Sequence, residues 1–272
     1  MSRVQLGTGE RYPAGSPGIR AALADGHRWL VLTDQDQPFN DGPVDLSAFT
    51  GKNDLKIEGG GHRITNLARG GNWPLFFTSK DEYWQLHFQG ITLVGAGHDE
   101  SLIDMANIDS STFTQCSFLN VGDKVKRTGQ PAVRLGVGGQ CSTTRFLSCW
   151  AEDCGGTLYH IENGVDIGWR DGYAQRSDCA IYFRGKQPNE MVGVPFIDGV
   201  HFEQNGRWEN HVWTRHGIDI DWATGAVIKP SYRYLTSLVL GPNANNCVVN
   251  VFRNFQAPEF GMGVNGNRYA WG

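Results

Sequence analysis

The chain has 272 residues, a net charge of −4 and a sequence pI of about 6.0, so it suits one large domain and lacks the basic surface that nucleic acid selects. With 36 Gly, 11% aromatic and 19% charged residues, the composition points to a turn-rich β protein and excludes a disordered chain. No apolar run approaches the roughly 18 residues of a membrane helix, and "MSRVQLGTGERYPAG" lacks the apolar core of a signal peptide. Cys116, Cys141, Cys149, Cys154, Cys179 and Cys247 form no C-x-x-C pair and no zinc-like Cys/His grouping. They read as small, buried, reduced side chains, so synthesis in a cytoplasm is expected, with no metal and no cofactor.

Residues 1–15 read as an N-terminal arm. In "GSPGIRAALADGH", Ser16 suits a helix cap, Pro17 the first turn and Gly26 the exit, while Ile19, Ala22 and Leu23 make one apolar stripe. "RWLVLTD", "PVDLSAF" and "DLKIEGGGHRITNL" follow as short strands. From there the helical period gives way to an internal repeat. "LHFQGITLVG", "TFTQCSFLNVG", "RFLSCWAEDCG", "DIGWRDGYAQRSD", "PFIDGVHFEQNG", "AVIKPSYRYLT" and "NCVVNVFRNF" each carry a short strand with an aromatic, and recur every 20 to 33 residues or so. Between them recurs an alternating strand: "LIDMAN", "AVRLGV", "LYHIEN", "AIYFRG", "GIDIDW" and "SLVLGP". Stacked coils, each pairing in parallel with the next and burying alternate side chains, satisfy both recurrences. The aromatics Phe118, Trp150, Tyr173, Phe202 and Tyr234 recur at similar points of the coil, and their direction is open at this stage.

The coils "FTQCSFLNVG" and "FLSCWAEDCG", with the helix and "LKIEGGGHRITNL" before them, resemble the right-handed parallel β-helix family of pectin-lyase-like proteins. The resemblance spans roughly Ser16 to Phe255. It implies an all-β fold, a β-helix solenoid with a short N-terminal capping helix, over residues 16–255, followed by a C-terminal tail over 256–272. The family includes polysaccharide lyases, glycoside hydrolases, epimerases and phage tailspikes. The lack of a signal peptide, the small size and the aromatic-rich C-terminal tail look more like phage tail proteins than secreted bacterial lyases. The resemblance therefore implies a homotrimer on a virion, made in the host cytoplasm, with a polysaccharide and other virion proteins as partners. No catalytic motif of the family carries over residue by residue, because coil motifs encode packing rather than chemistry.

Alternation gives the candidate site. If Ile103/Met105, Val133/Leu135, Tyr159/Ile161, Ile181/Phe183, Ile218/Ile220 and Leu238/Leu240 point inward, two outward rows result. One runs Asp104, Arg134, His160, Tyr182, Asp219, Val239. The other runs Ala106, Gly136, Glu162, Arg184, Asp221, Gly241. Neighbours in a row should lie about 4.8 Å apart. Asp219, Asp221, Glu162 and His160 are the candidate catalytic groups, and Arg134, Arg184, Tyr182 and Asp104 the candidate glycan contacts. Ala106, Gly136 and Gly241 would leave room for a ligand. The inserts "GDKVKRTGQP", "NGRWENHVWTRHG" and "GKQPNEMVGVP" would wall the sheet, the second adding Trp208, His211, Trp213 and His216, with the two tryptophans as sugar-stacking candidates.

Two chemistries fit. Hydrolysis would pair Asp219 with Asp221, or Glu162 with Asp221, in the range of about 6.5–9.5 Å of an inverting enzyme. β-Elimination would use His160 or Tyr182 as base and Arg134 or Arg184 to neutralise a substrate carboxylate. Hydrolysis is favoured slightly, because carboxylates are plentiful. A third reading makes the rows an ion ladder on a non-enzymatic virion structural, decoration or glycan-binding protein.

Overall fold

Strands of three to five residues with one apolar side cannot bury that side alone, and stacking coils is how this chain buries it. The computed structural model describes residues 3–49, 54–78, 83–184, 191–210, 212–251 and 268–271. It gives the backbone alone for Trp208, Val212, Trp213, Tyr232, Arg233, Val251 and Arg268–Trp271. The chain winds into a right-handed parallel β-solenoid of about eight turns with three faces. The first face stacks Trp29–Leu32, Asp54–Glu58, Gln85–Gln89, Thr112–Thr114, Cys141–Leu147, Gly164–Arg170, Phe196–Asp198 and Val227–Lys229. The second runs from Asp36–Phe39 through Ser117–Leu119 to His201–Asn205. The third carries the alternating strands. Two long strands, Trp150–Ile161 and Tyr173–Phe183, turn the corner from second to third face and join both into one sheet.

The F-x-x-C coil now has a physical reason. Phe113, Phe146 and Trp169 pair in register and point inward, with ring centroids 4.9 and 5.3 Å apart in near-parallel stacks. Two residues later the chain turns the first corner on one residue of positive φ: Gln115 at 52°, Ser148 at 51° and Asp171 at 52°, with glycine in the same place at Gly90 and Gly199. The hydrogen-bond ladder continues through that corner, for example from Gln115 N–H to the Leu147 carbonyl at 2.9 Å. Cys116 and Cys149 follow, fully buried, their thiols donating to the Phe88 and Phe113 carbonyls at 3.3 and 3.0 Å. Phe118 and Phe202 point into the core, whereas Trp150, Tyr173 and Tyr234 point out. Each buried Phe contributes roughly 1.5–3 kcal/mol of transfer free energy, so the column of rings is a large share of the core.

The helix Ser16–Ala24 covers the open end with Ile19, Ala22 and Leu23, as its stripe predicts, and Gly26 takes the exit at φ 82°. Ser16 does not cap it. Gly15 holds that position, pressed against the Pro38 carbonyl where a Cβ would not fit, and the Ser16 hydroxyl donates instead to Asp41. Of the segment read as an arm, Arg3–Leu6 is a rung on the first face, paired with Trp29–Leu32. Arg268–Trp271, within the segment read as a tail, pairs with Val248–Val251. "PVDLSAF" supplies a two-residue strand, Val44–Asp45, and then a short 3-10 turn capped by the Asp45 carboxylate.

Candidate functional site

Every inward residue expected of the third face is buried. The pairing sets Asp104, Arg134, His160, Tyr182, Asp219 and Val239 side by side in consecutive coils. The row is one line of side chains on a rigid sheet, about 4.8 Å from rung to rung. Its two ends differ from its middle. At one end Arg134 Nη1 donates to Asp104 at 3.4 Å, and burial raises the Asp104 carboxyl while Arg134 opposes it.

The middle of the row is a layered stack. The His160 ring lies 5.0 Å from the Tyr182 ring. Burial pushes the imidazole down to about 4, with the positive field of Arg134 and Arg215 adding to it and Glu162 opposing. His160 is therefore neutral, and its Nε2 is shielded from solvent with no hydrogen-bond partner among the described residues. Arg184 Nη1 donates to the Tyr182 hydroxyl at 2.5 Å. The Arg215 guanidinium lies 4.7 Å from the Tyr182 ring centroid, at cation–π distance. Beside them burial raises the Asp219 carboxyl, against the field of Arg215, His216 and Arg184.

The second row has a different character. Its backbone ladder is intact, with Glu162, Arg184, Asp221 and Gly241 each donating N–H to the coil below at 2.7–3.2 Å. Arg184 stands out beside Tyr182, but the two carboxylates of the row are not presented with it. Glu162 is only 3% exposed and presents no surface to a substrate, and its charge is felt by His160 and Asp104. Asp221 is a turn cap. Its Oδ1 accepts the N–H of Trp222 at 3.1 Å and of Asn243 at 3.0 Å, and Oδ2 accepts from Asn243 Nδ2 at 3.3 Å. The room expected at the small residues is occupied by the protein itself. A Cβ at Gly136 would meet the Asn163 carbonyl at 2.1 Å, one at Gly241 would meet the Asp221 carboxylate at 2.6 Å, and Ala106 is buried.

The inserts form a wall on one edge. "GDKVKRTGQP" closes a small hairpin by paired hydrogen bonds between Asp123 and Thr128. Arg207–Glu209 and Val212–Arg215 make an antiparallel hairpin in which Trp208 pairs with Trp213 along the backbone. The two inserts meet where Arg207 Nη2 donates to the Arg127 carbonyl at 3.1 Å. The tryptophan side chains, His211 and residues 185–190 of the third insert lie outside the described residues. Among the described residues no three His, Cys, Asp or Glu side chains converge on a metal position.

Arg215 is the member of the site that the alternation pattern does not reveal. It stands in "VWTRHG", on the return strand of a hairpin whose length sets where its guanidinium lands. The outward aromatics of the second face also form a line, with Trp150 4.4 Å from Tyr173 and Tyr173 4.4 Å from His201. Those rings stack on one another, so the faces between them are already covered. Comparison with known proteins finds no matching family model, no matching curated protein and no matching solved structure. The parallel β-solenoid stands on its own geometry, and it is compatible with carbohydrate-active and with structural roles alike.

Proposed function

We propose that the chain is a carbohydrate-active β-helix protein of the phage tailspike type, which cleaves an acidic bacterial surface polysaccharide by β-elimination on its third face. The observation that carries this reading is the Arg184–Tyr182–Arg215 arrangement: a phenol held at its oxygen by one guanidinium and covered on its ring by a second. Guanidinium pairs suit a uronate, since they bind carboxylate in two-pronged fashion and stabilise the enolate that forms when its α-proton leaves. Tyr182 is the base for that proton. The electron pair becomes the new carbon–carbon double bond, the bond to the glycosidic oxygen breaks, and Asp219 supplies the proton for the leaving oxygen. His160 packs against Tyr182 as a neutral ring and positions it. Hydrolysis loses ground because the carboxylate pairs it requires include Asp221, which caps a turn, and Glu162, which is buried. Assembly as a homotrimer on a virion belongs to the same proposal.

A second reading, a non-enzymatic virion structural or glycan-binding protein, draws on the Asp104–Arg134 ion pair and the Asp221 cap, which give part of the charge a structural role. The test is a panel of uronate-containing bacterial polysaccharides, followed by reducing-end release and by the ultraviolet absorbance of an unsaturated uronate. Both signals should rise together and vanish in Tyr182→Phe with the melting temperature unchanged. Reducing ends without absorbance would return the assignment to hydrolysis. Retention of the glycan without cleavage would favour the binding reading.

A further inference from the structure

The corner between the second and third faces is built from residues that the proposed reaction does not use. Asp153, Arg176 and Gln204 occupy it in consecutive coils, each at positive φ (59°, 50° and 52°), so their side chains splay outward. The hairpin around Asp123 and Thr128 leans over them and docks on Gly155 and Gly156. At Gly155 a Cβ would meet the Thr128 carbonyl at 2.3 Å and the Asp123 carbonyl at 2.4 Å, and at Gly156 the Gly129 carbonyl at 2.4 Å. The two glycines, where the strand pairing breaks register, are what lets the insert lie against the solenoid. A groove of about 340 Å³ remains between insert and corner, lined by Lys124, Arg127, Arg176, Asp153 and Asp178 among others. That volume is at the lower end of small-ligand sites, about 300–1,000 Å³.

The charges of the groove are unequal. Asp153 is gripped by Arg176 at 2.7 Å and Lys124 at 3.2 Å, which hold its carboxyl below the usual range. Asp178 is gripped by Arg207, with Arg215 at 3.8 Å. Both carboxylates are thus neutralised within the protein. Arg127 has no carboxylate partner among the described residues. Among the described residues its guanidinium reaches only the Gly206 carbonyl, at 3.5 Å, the limit of a hydrogen bond. A chain of net charge −4 has thus set a spare guanidinium in a concave site with its neighbouring acids already paired. Arg215 joins this groove to the third face, with its Nε 3.8 Å from Asp178 and its guanidinium carbon 4.7 Å from the Tyr182 ring centroid.

We infer that this groove is a second, anion-binding subsite, in which Arg127 and Lys124 hold the carboxylate of a uronate residue one or more sugars away from the one at Tyr182. The inference rests on the proposed function for the ligand's being a glycan. It makes the protein a reader of repeated acidic sugars, since two carboxylates along one chain must be met at once.

The test is amide chemical-shift mapping on the isotope-labelled full chain, titrated with D-glucuronate and, as a neutral control, D-glucose. Glucuronate should move the amides of Lys124, Arg127 and Gly206, and glucose should not. Arg127→Asn removes the charge while tolerating the left-handed backbone at that position (φ 55°). It should weaken glucuronate binding in the groove about tenfold, the scale of one lost charge-assisted hydrogen bond. Shifts around Tyr182 and Arg184 alone would keep the proposed function and overturn this subsite. Groove shifts alone would keep the subsite and count against the third-face reading. Groove shifts indifferent to Arg127→Asn, or none, would also overturn the inference.

Discussion

His160 makes the structure testable through pH. Its imidazole is pushed from an ordinary 6.5 down to about 4, chiefly by burial between Arg134 and Tyr182. Between those values the unfolded chain holds a proton on this ring and the folded chain does not, so stability rises with pH. The contribution is complete above 6.5 and is lost as pH falls toward 4. At pH 5 the loss from this one ring is about 2 kcal/mol, and at pH 4 about 3 kcal/mol. Asp104 and Asp219 act with the opposite sign, because their raised carboxyls bind a proton more tightly in the folded state. The clean quantity is therefore the difference between wild type and His160→Gln, which keeps a polar neutral side chain and leaves the carboxylates in place. Urea midpoints of both proteins at pH 7 and pH 5 give that difference. Wild type should lose about 2 kcal/mol more than His160→Gln over that interval. A difference that does not change with pH would refute the burial argument, as would a proton titration of the His160 ring near 6.5. Either result would also remove the neutral ring from beside Tyr182 and weaken the case for the stack as a site.

Other expectations follow from the same geometry. Asp221→Ala should cost about 1–3 kcal/mol, since two backbone N–H groups lose their acceptor. Asp219→Asn should not lower stability at pH 7, because burial already favours the uncharged form of this side chain and the amide stays uncharged. Equal losses from the two changes would mean that both aspartates are structural. Burial pushes the Cys154 and Cys179 thiols up to about 12 and holds the Cys149 thiol well above its ordinary range, so an aromatic disulfide reagent at pH 8 should label none of these three until the chain unfolds. A fast-reacting thiol among them in the native protein would contradict the packing of the corners.

What was legible in the sequence follows from where the chain is simplest. "GIDID" places Ile218 and Ile220 inward and Asp219 outward because a strand has a period of two and only one side of this one meets the core. The same holds coil after coil, so the row from Asp104 to Asp219 could be written down without coordinates. The pattern fails one residue beyond the strand, where alternation no longer dictates direction. Glu162 and Asp221 both follow the last inward residue of their strands. Whether such a side chain turns out to solvent, sinks, or caps a turn depends on the next coil, and Asn243, 22 residues later, is what captures Asp221. The corner residues are hidden for a related reason. Gln115, Ser148 and Asp171 take a backbone region that usually selects glycine or asparagine, and the ladder on both sides holds them there. Arg215 and Arg127 reach the site from hairpins whose reach no local pattern specifies. The candidate site thus rests less on the carboxylates plentiful in the sequence than on the guanidinium groups that the fold gathers around Tyr182. A solenoid writes its core into the sequence as a repeat, whereas its site depends on the inserts that break the repeat.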